Sequence, residues 1–402
     1  MRLLLALALA LVPVAAASAA TIEPCLPGTE APLCHVTTGT VTHVADGDTL
    51  DVDLDEDLTP VTSRVRITGI NAMEQTIYSH DRERRRGECH ALEATARLEQ
   101  LVYASGGRIR LLAQDLDSRS GHRQRLRRAV QVLIGDRWQD AGGILLSEGH
   151  ALWLPNRREW AWNRGYSALA QQAARAGVGL WSTEHCGPGP AAALRLTVRV
   201  DAEGSDAANP GGEWIRIRNL DLGAPVALGG WWVRDSANRR FVLPPETVLG
   251  PGRTLAVHVG GAPPGALGWN LDRPTFENPS DDERALGDGA YLFDPHGDLR
   301  AWMMVPCRDG CSDPTGGAIE LRFPSGAVRD SVLVRNRSDA PVDLEGMALT
   351  VDGRTQILGE DAVVAAQGVL VVWALRDGRG IARLRTLDGI AVACGGWGGA
   401  TC

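Results

Sequence analysis

Asp46-Gly47-Asp48-Thr49 and, after a strand-like run, Arg66-Ile67-Thr68-Gly69-Ile70-Asn71-Ala72-Met73-Glu74 place carboxylates, an amide and a guanidinium at short spacings. Phosphodiester hydrolysis needs such a set. A divalent cation and guanidinium forks neutralise the charge that develops on the phosphoryl oxygens, and a carboxylate orients or deprotonates the attacking water. On this reading Asp48 binds the cation. Arg66 and Arg128 hold the phosphate, and Glu74 handles the water. Oxygen-only donors favour Ca²⁺ or Mg²⁺ over zinc.

These side chains need a scaffold. His35 to Leu54 alternates as a strand that turns at Asp46-Gly47, and Ser63 to Ile70 alternates again, with Val65 and Ile67 on one face and Arg66 and Thr68 on the other. Glu88 to Tyr103 has the spacing of an amphipathic helix ending at Gly106-Gly107. Arg108 to Leu112 and Arg128 to Ile134 read as strands, followed by helices over about Gly142 to Glu148 and Arg157 to Ala176. The order of strands, helix, strands and two helices suits an α+β, five-stranded OB-like barrel with helices on one side.

Residues 36–187 resemble the staphylococcal nuclease (thermonuclease) family. The resemblance rests on Asp46 to Thr49, the Arg66 to Glu74 segment, the Arg128 strand, Leu145 to Ala151 and the closing Gly179-Leu180-Trp181. It implies Ca²⁺-dependent cleavage of DNA and RNA, catalytic roles for Arg66, Glu74 and Arg128, and metal binding by Asp48. Two positions depart from the family pattern: Asn71 stands where aspartate is usual, and Met73 where proline is. Asparagine keeps a carbonyl oxygen but removes one negative charge from the cation site, with Asp46 and the Ala72 carbonyl as compensation. The alternatives are a barrel that holds nucleic acid without cutting it, and a surface-associated adhesion or scaffold protein in which the C-terminal sandwiches carry the function. Arg119, Arg123, Arg125 and Arg127 crowd the approach to Arg128, and counting back from Asp136 favours Arg128.

Other features carry less. Asp51, Asp53 and Asp55 begin like a calcium loop, but Glu56 replaces the required glycine and Thr62 stands where the bidentate glutamate belongs. Arg82 to Arg86 with Arg123 to Arg128 reads as a solvated face or a nucleic-acid-tracking patch, and Trp153, Trp160 and Trp162 as helix packing or base stacking. None of the nine histidines forms a His-Glu-x-x-His pair.

Residues 1–20 read as a cleaved secretory signal, which predicts an extracellular protein with no transmembrane segment in the mature chain. Eight cysteines suit four disulfides, with Cys25–Cys34, Cys307–Cys311 and Cys394–Cys402 as the local pairings, leaving Cys89 with Cys186. The net charge of −8 gives no general attraction to nucleic acid, so phosphate binding must come from a local arrangement of the arginines; the chain has no lysine.

Beyond Gly187-Pro188-Gly189-Pro190 the chain becomes rich in Gly, Pro, Val and Trp. Residues 191–305 resemble a bacterial lamin-tail domain, an immunoglobulin-like sandwich, through Glu213 to Asn219, Val226 to Trp231, Leu249 to Gly252 and Gly289 to Pro295. That resemblance implies binding or tethering to nucleic acid, cell envelope or another protein. Arg218-Asn219 followed by Ala224-Pro225-Val226 has an echo in Arg335-Asn336 followed by Ala340-Pro341-Val342, so residues 312–402 read as a degenerate second copy.

Overall fold

The computed structural model describes residues 21–402 except 29, 30, 56, 58, 76–86, 122, 123, 188, 190, 191, 325–329 and 377. The expected signal segment, Arg82 to Arg86 and Arg123 lie outside the described residues. The protein is mostly β with a few helices.

The N-terminal sheet is built from β1 (Thr21–Pro24), β2 (Leu33–Asp46), β3 (Thr49–Leu54), β4 (Ser63–Ile67), β6 (Arg108–Ala113) and β8 (Arg125–Ile134). It closes on itself through five strands, β2-β3-β4-β8-β6 and back to β2. The fourteen residues of β2 make this possible, because its first half pairs with β6 and its second half with β3. Register shifts at Val41/His43 and Val44/Asp46 bend it between the two partners. Short strands β7 (Arg119–Ser120) and β9 (Arg137–Asp140) pair with β8, and β5 (Ile70–Ala72) pairs with β10 (Ala151–Trp153).

Helix α1 (Ala91–Ala104) buries Ala91, Ala94, Thr95, Leu98, Leu101 and Val102, the expected helical face. It starts three residues after the predicted Glu88, because His90 adopts a left-handed backbone at φ 69°. Helix α2 (Ala141–Ser147) is capped by the Asp140 carboxylate, which accepts from the Gly142 amide. Helix α3 (Asn163–Ala176) begins six residues later than Arg157. There the Asn156 side chain accepts from the amides of Arg158 and Glu159, a local bond pattern that competes with helix.

Two β modules follow. In the first, the sheet of Leu194–Arg199, Trp214–Asn219, Thr254–His258 and Leu267–Gly268 shares a core with the sheet of Arg240–Val242, Trp232–Asp235, Asp288–Phe293 and Leu299–Val305. The second repeats the plan with Ile319–Arg322, Ser331–Asn336 and Val369–Trp373 on one side. Arg354–Ile357, Ala348–Val351, Gly380–Arg385 and Ala391–Trp397 form the other. Asn219 and Asn336 explain the sequence echo. Each is fully buried and donates through Nδ2 to carbonyls of two other segments: Ala224 and Gly250 at 2.8 and 3.1 Å, and Ala340 and Ala365 at 2.7 and 3.0 Å.

The first module is fused to the N-terminal unit. Along Asp288–Phe293, Ala290 and Leu292 enter the module's own core while Tyr291 and Phe293 join the core of the N-terminal sheet, with Leu299 and Met304. Trp181, 1 % exposed, packs against Tyr291 and Trp302 with ring centroids 6.1 and 5.2 Å apart. All four expected disulfides are present: Cys25–Cys34, Cys89–Cys186, Cys307–Cys311 and Cys394–Cys402. No helix among the described residues is long and apolar enough to cross a membrane.

Candidate functional site

Asp48 sits between β2 and β3, in a turn that packs tightly under α1. A Cβ on Gly47 would lie 2.7 Å from that of Ala94 and 2.8 Å from that of Ala72, so glycine is required there by close approach rather than by a left-handed backbone. The consequence is burial. Asp48 is 1 % exposed and both of its oxygens are engaged. Oδ1 meets Arg66 Nη1 at 2.5 Å and accepts from Thr49 Oγ1 at 3.0 Å, and Oδ2 accepts from the Ala72 amide at 2.8 Å. Burial pushes the Asp48 carboxyl up to about 7 against the pull of Arg66, with nearby Asp46 adding to the rise.

Arg66 leaves the core face of β4, as strand alternation predicts. Its Nη2 donates to Asn71 Oδ1 at 2.7 Å, so one guanidinium bridges Asp48 and Asn71. Asn71 is fixed at its other end, where Nδ2 donates to the Ser236 carbonyl of the first β module at 2.7 Å. Glu74 is half-buried. Burial raises its carboxyl above the ordinary range against the attraction of Arg66, and Asp46 and Glu88 raise it further. Glu88 accepts from the Glu74 amide at 3.0 Å and lies 3.2 Å from Arg240 and 3.9 Å from the buried Arg234. The module therefore touches the motif at Asn71, at Met73, whose Sδ lies 3.8 Å from Arg234 Nη1, and through Glu88.

Arg128 does not join this group. Its guanidinium donates to the carbonyls of Arg127 and Leu116 at 2.7 and 3.0 Å and faces Glu159, so it braces the 114–118 loop. The arginines that do join lie one and three positions earlier. Arg127 stands in register with Arg66 across the parallel β4–β8 pair, and Arg125 is on the same face of β8. Arg125 donates to Thr49 Oγ1 at 3.3 Å. Burial and the charge of Arg66 lower the pKa of both. Strand parity was the signal that could have found them: a core-facing Val130 and Val132 put odd-numbered arginines on the opposite side only if the strand runs without interruption from Arg125, and counting back from Asp136 does not test that.

The remaining expectations resolve plainly. Asp51 is bonded to Arg64 and Asp55 to Arg108, so the alternating aspartates are strand-face ion pairs. Trp153 and Trp162 are buried in the core, as helix packing requires. Among the described residues, no clustered set of three metal-ligating side chains includes Asp46, Asp48 or Glu74.

Nothing in the family comparison supports a staphylococcal nuclease domain in the N-terminal part, and no curated protein matches the chain. The segment whose strand 288–293 packs on the N-terminal core does have a family: residues 191–305 match the lamin tail domain.

Proposed function

We propose that the N-terminal unit is a nuclease-type, OB-like barrel that engages phosphate groups of DNA or RNA through Arg66, Arg125 and Arg127 without calcium-dependent turnover. The observation that carries this reading is the convergence of three guanidinium groups from two neighbouring strands in a chain of net charge −8. Like charges held together and partly buried repel one another, and a phosphate anion relieves that repulsion with bidentate bonds.

The calcium expected from the sequence does not suit these residues as they stand. Ca²⁺ takes six to eight oxygens at about 2.3–2.6 Å. Here the Asp48 and Asn71 oxygens that would bind it both face the Arg66 guanidinium, and the Ala72 amide takes the other Asp48 oxygen. Asn71 supplies no charge to compete with the arginine. Its bond to Ser236 holds the amide in place, so the lamin tail domain reinforces the arrangement. The tail domain serves in this reading as a cover and tether for the barrel. Four disulfides are consistent with an oxidising, extracellular setting.

The second reading, a secreted Ca²⁺-dependent nuclease, is favoured by Glu74, whose raised carboxyl beside Arg66 suits proton transfer from water. One experiment separates the two. Binding and digestion of labelled single-stranded DNA and RNA are measured with Ca²⁺ and with chelator, for the native chain and for Arg127→Ala, Glu74→Gln and Asn71→Asp. The proposal expects chelator-insensitive binding that weakens about tenfold in Arg127→Ala, with cleavage appearing only in Asn71→Asp. Calcium-dependent cleavage by the native chain that is lost in Glu74→Gln would establish the second reading. Absence of both binding and cleavage would remove both.

A further inference from the structure

A second constellation lies at the start of α1. The Cys89–Cys186 disulfide holds its two Cα atoms 6.0 Å apart across 97 residues of sequence, and each cysteine has a histidine beside it. His90 and His185 are thereby brought together, with Nδ1 of His90 2.8 Å from Nε2 of His185. Glu93 follows His90 by three residues, one turn along the helix, and its carboxylate lies 3.9 Å from His185 Nε2. The three donor atoms all fall within 4.8 Å of one another.

We propose that His90 Nδ1, His185 Nε2 and the Glu93 carboxylate bind one transition-metal ion of the zinc class. Zn–N bonds of about 2.0–2.1 Å in a tetrahedron put neighbouring donors about 3.3 Å apart, so the two measured separations bracket the value needed and small side-chain adjustments suffice. Two imidazole nitrogens select zinc-like ions over calcium or magnesium. Three protein donors leave a fourth position. That position opens to solvent, because the His185 and Glu93 side chains are 29 and 52 % exposed while His90 is buried behind them.

The surroundings of His90 suit a ligand. Its Nε2 lies 2.9 Å from Nδ1 of His150, whose Nε2 faces the Glu148 carboxylate at 3.7 Å. Glu148 is gripped by the Arg97 guanidinium at 2.6 and 2.8 Å. With the His90 proton on Nε2, donated to His150 Nδ1, Nδ1 of His90 keeps its lone pair for the metal. His90 also holds its left-handed backbone without capping α1 through its side chain. Cys89 and Cys186 are not ligands, since both thiols are spent in the disulfide. The site is distinct from the arginine cluster. It braces residues 88–90, from which Glu88 holds the Glu74 amide.

The test is titration of the full, oxidised, chelator-treated chain with Zn²⁺ by calorimetry, with Co²⁺ absorption as a second readout. The expected result is one ion per chain and the visible bands of tetrahedral, nitrogen-ligated Co²⁺. His185→Ala and Glu93→Gln each weaken Zn²⁺ binding about 100-fold or more, and His150→Ala about 10- to 100-fold. Both ligand changes are at exposed side chains, and near-ultraviolet dichroism checks that each variant is folded. No stoichiometric uptake, or uptake that neither ligand variant weakens, would mean that the histidines form only a hydrogen-bonded relay. Loss of binding in Glu74→Gln with retention in His185→Ala would place the ion elsewhere and overturn the assignment.

Discussion

The two β modules share a plan and differ in their outer faces. In the lamin tail domain, strand Asp288–Phe293 is buried along its whole length, whereas its counterpart Gly380–Arg385 buries only Ala382 and Leu384. Inward residues are alike, small or apolar in both. Outward residues decide the rest: Tyr291 and Phe293 dock on the N-terminal core, while Ile381, Arg383 and Arg385 face away from their module's core. The second module instead exposes Val369, Val371 and Trp373 on the edge strand of its other sheet. Inward alternation specifies a module, and outward chemistry specifies whether it becomes part of a larger unit.

The largest effect is expected where the first module docks. Trp181→Ala removes a fully buried ring between Tyr291 and Trp302 and should lower stability by about 3–5 kcal/mol in chemical denaturation. A loss under about 1 kcal/mol would mean that the tail domain is not fused to the N-terminal unit.

The repeat itself is tested next. Asn219→Ala and Asn336→Ala each strand several buried carbonyls, and each should destabilise by about 2 kcal/mol or more. Comparable losses sharpen the equivalence of the modules; a large loss in one alone breaks it.

A pH dependence should follow from the buried acids of the first module. Burial, with Asp235 nearby, pushes Asp288 from its ordinary 3.8 up to about 7, and burial pushes Glu213 from 4.5 up to about 7. The folded state thus holds protons that the unfolded chain releases at lower pH. Their stabilisation is complete below the unfolded values and is lost as pH rises to about 7. Thermal unfolding should show stability declining over that window, with a shallower decline in Glu213→Gln. A stability that rises with pH throughout the window would contradict the assignment.

The smallest effect belongs to the outer face of the second module. Arg383→Ala should change stability by less than about 0.5 kcal/mol, since this strand position is exposed. A larger loss would show that this face is also covered.

Much of the architecture was legible in residue order. Alternation located β2, β3, β4 and β6, and the apolar spacing from Ala91 to Val102 located α1. Cysteine positions allowed the four disulfides, and the echo around Asn219 and Asn336 marked the repeat. The helix start before α3 was missed where the Asn156 side chain competes with the backbone pattern, and the sequence did not show that Arg127 rather than Arg128 stands in register with Arg66. The role of Tyr291 and Phe293 was hidden because a strand buried on both faces looks like any apolar run.

By itself, then, the sequence determined local periodicity, turn positions, the available donors and their charges, because these depend on neighbours along the chain. Only tertiary structure decided which donors meet. Arg66 bridges Asp48 and Asn71, Ser236 secures Asn71, and His90 meets His185. Those contacts join residues up to 165 positions apart, and they exist because packed sheets and one long-range disulfide bring the segments together.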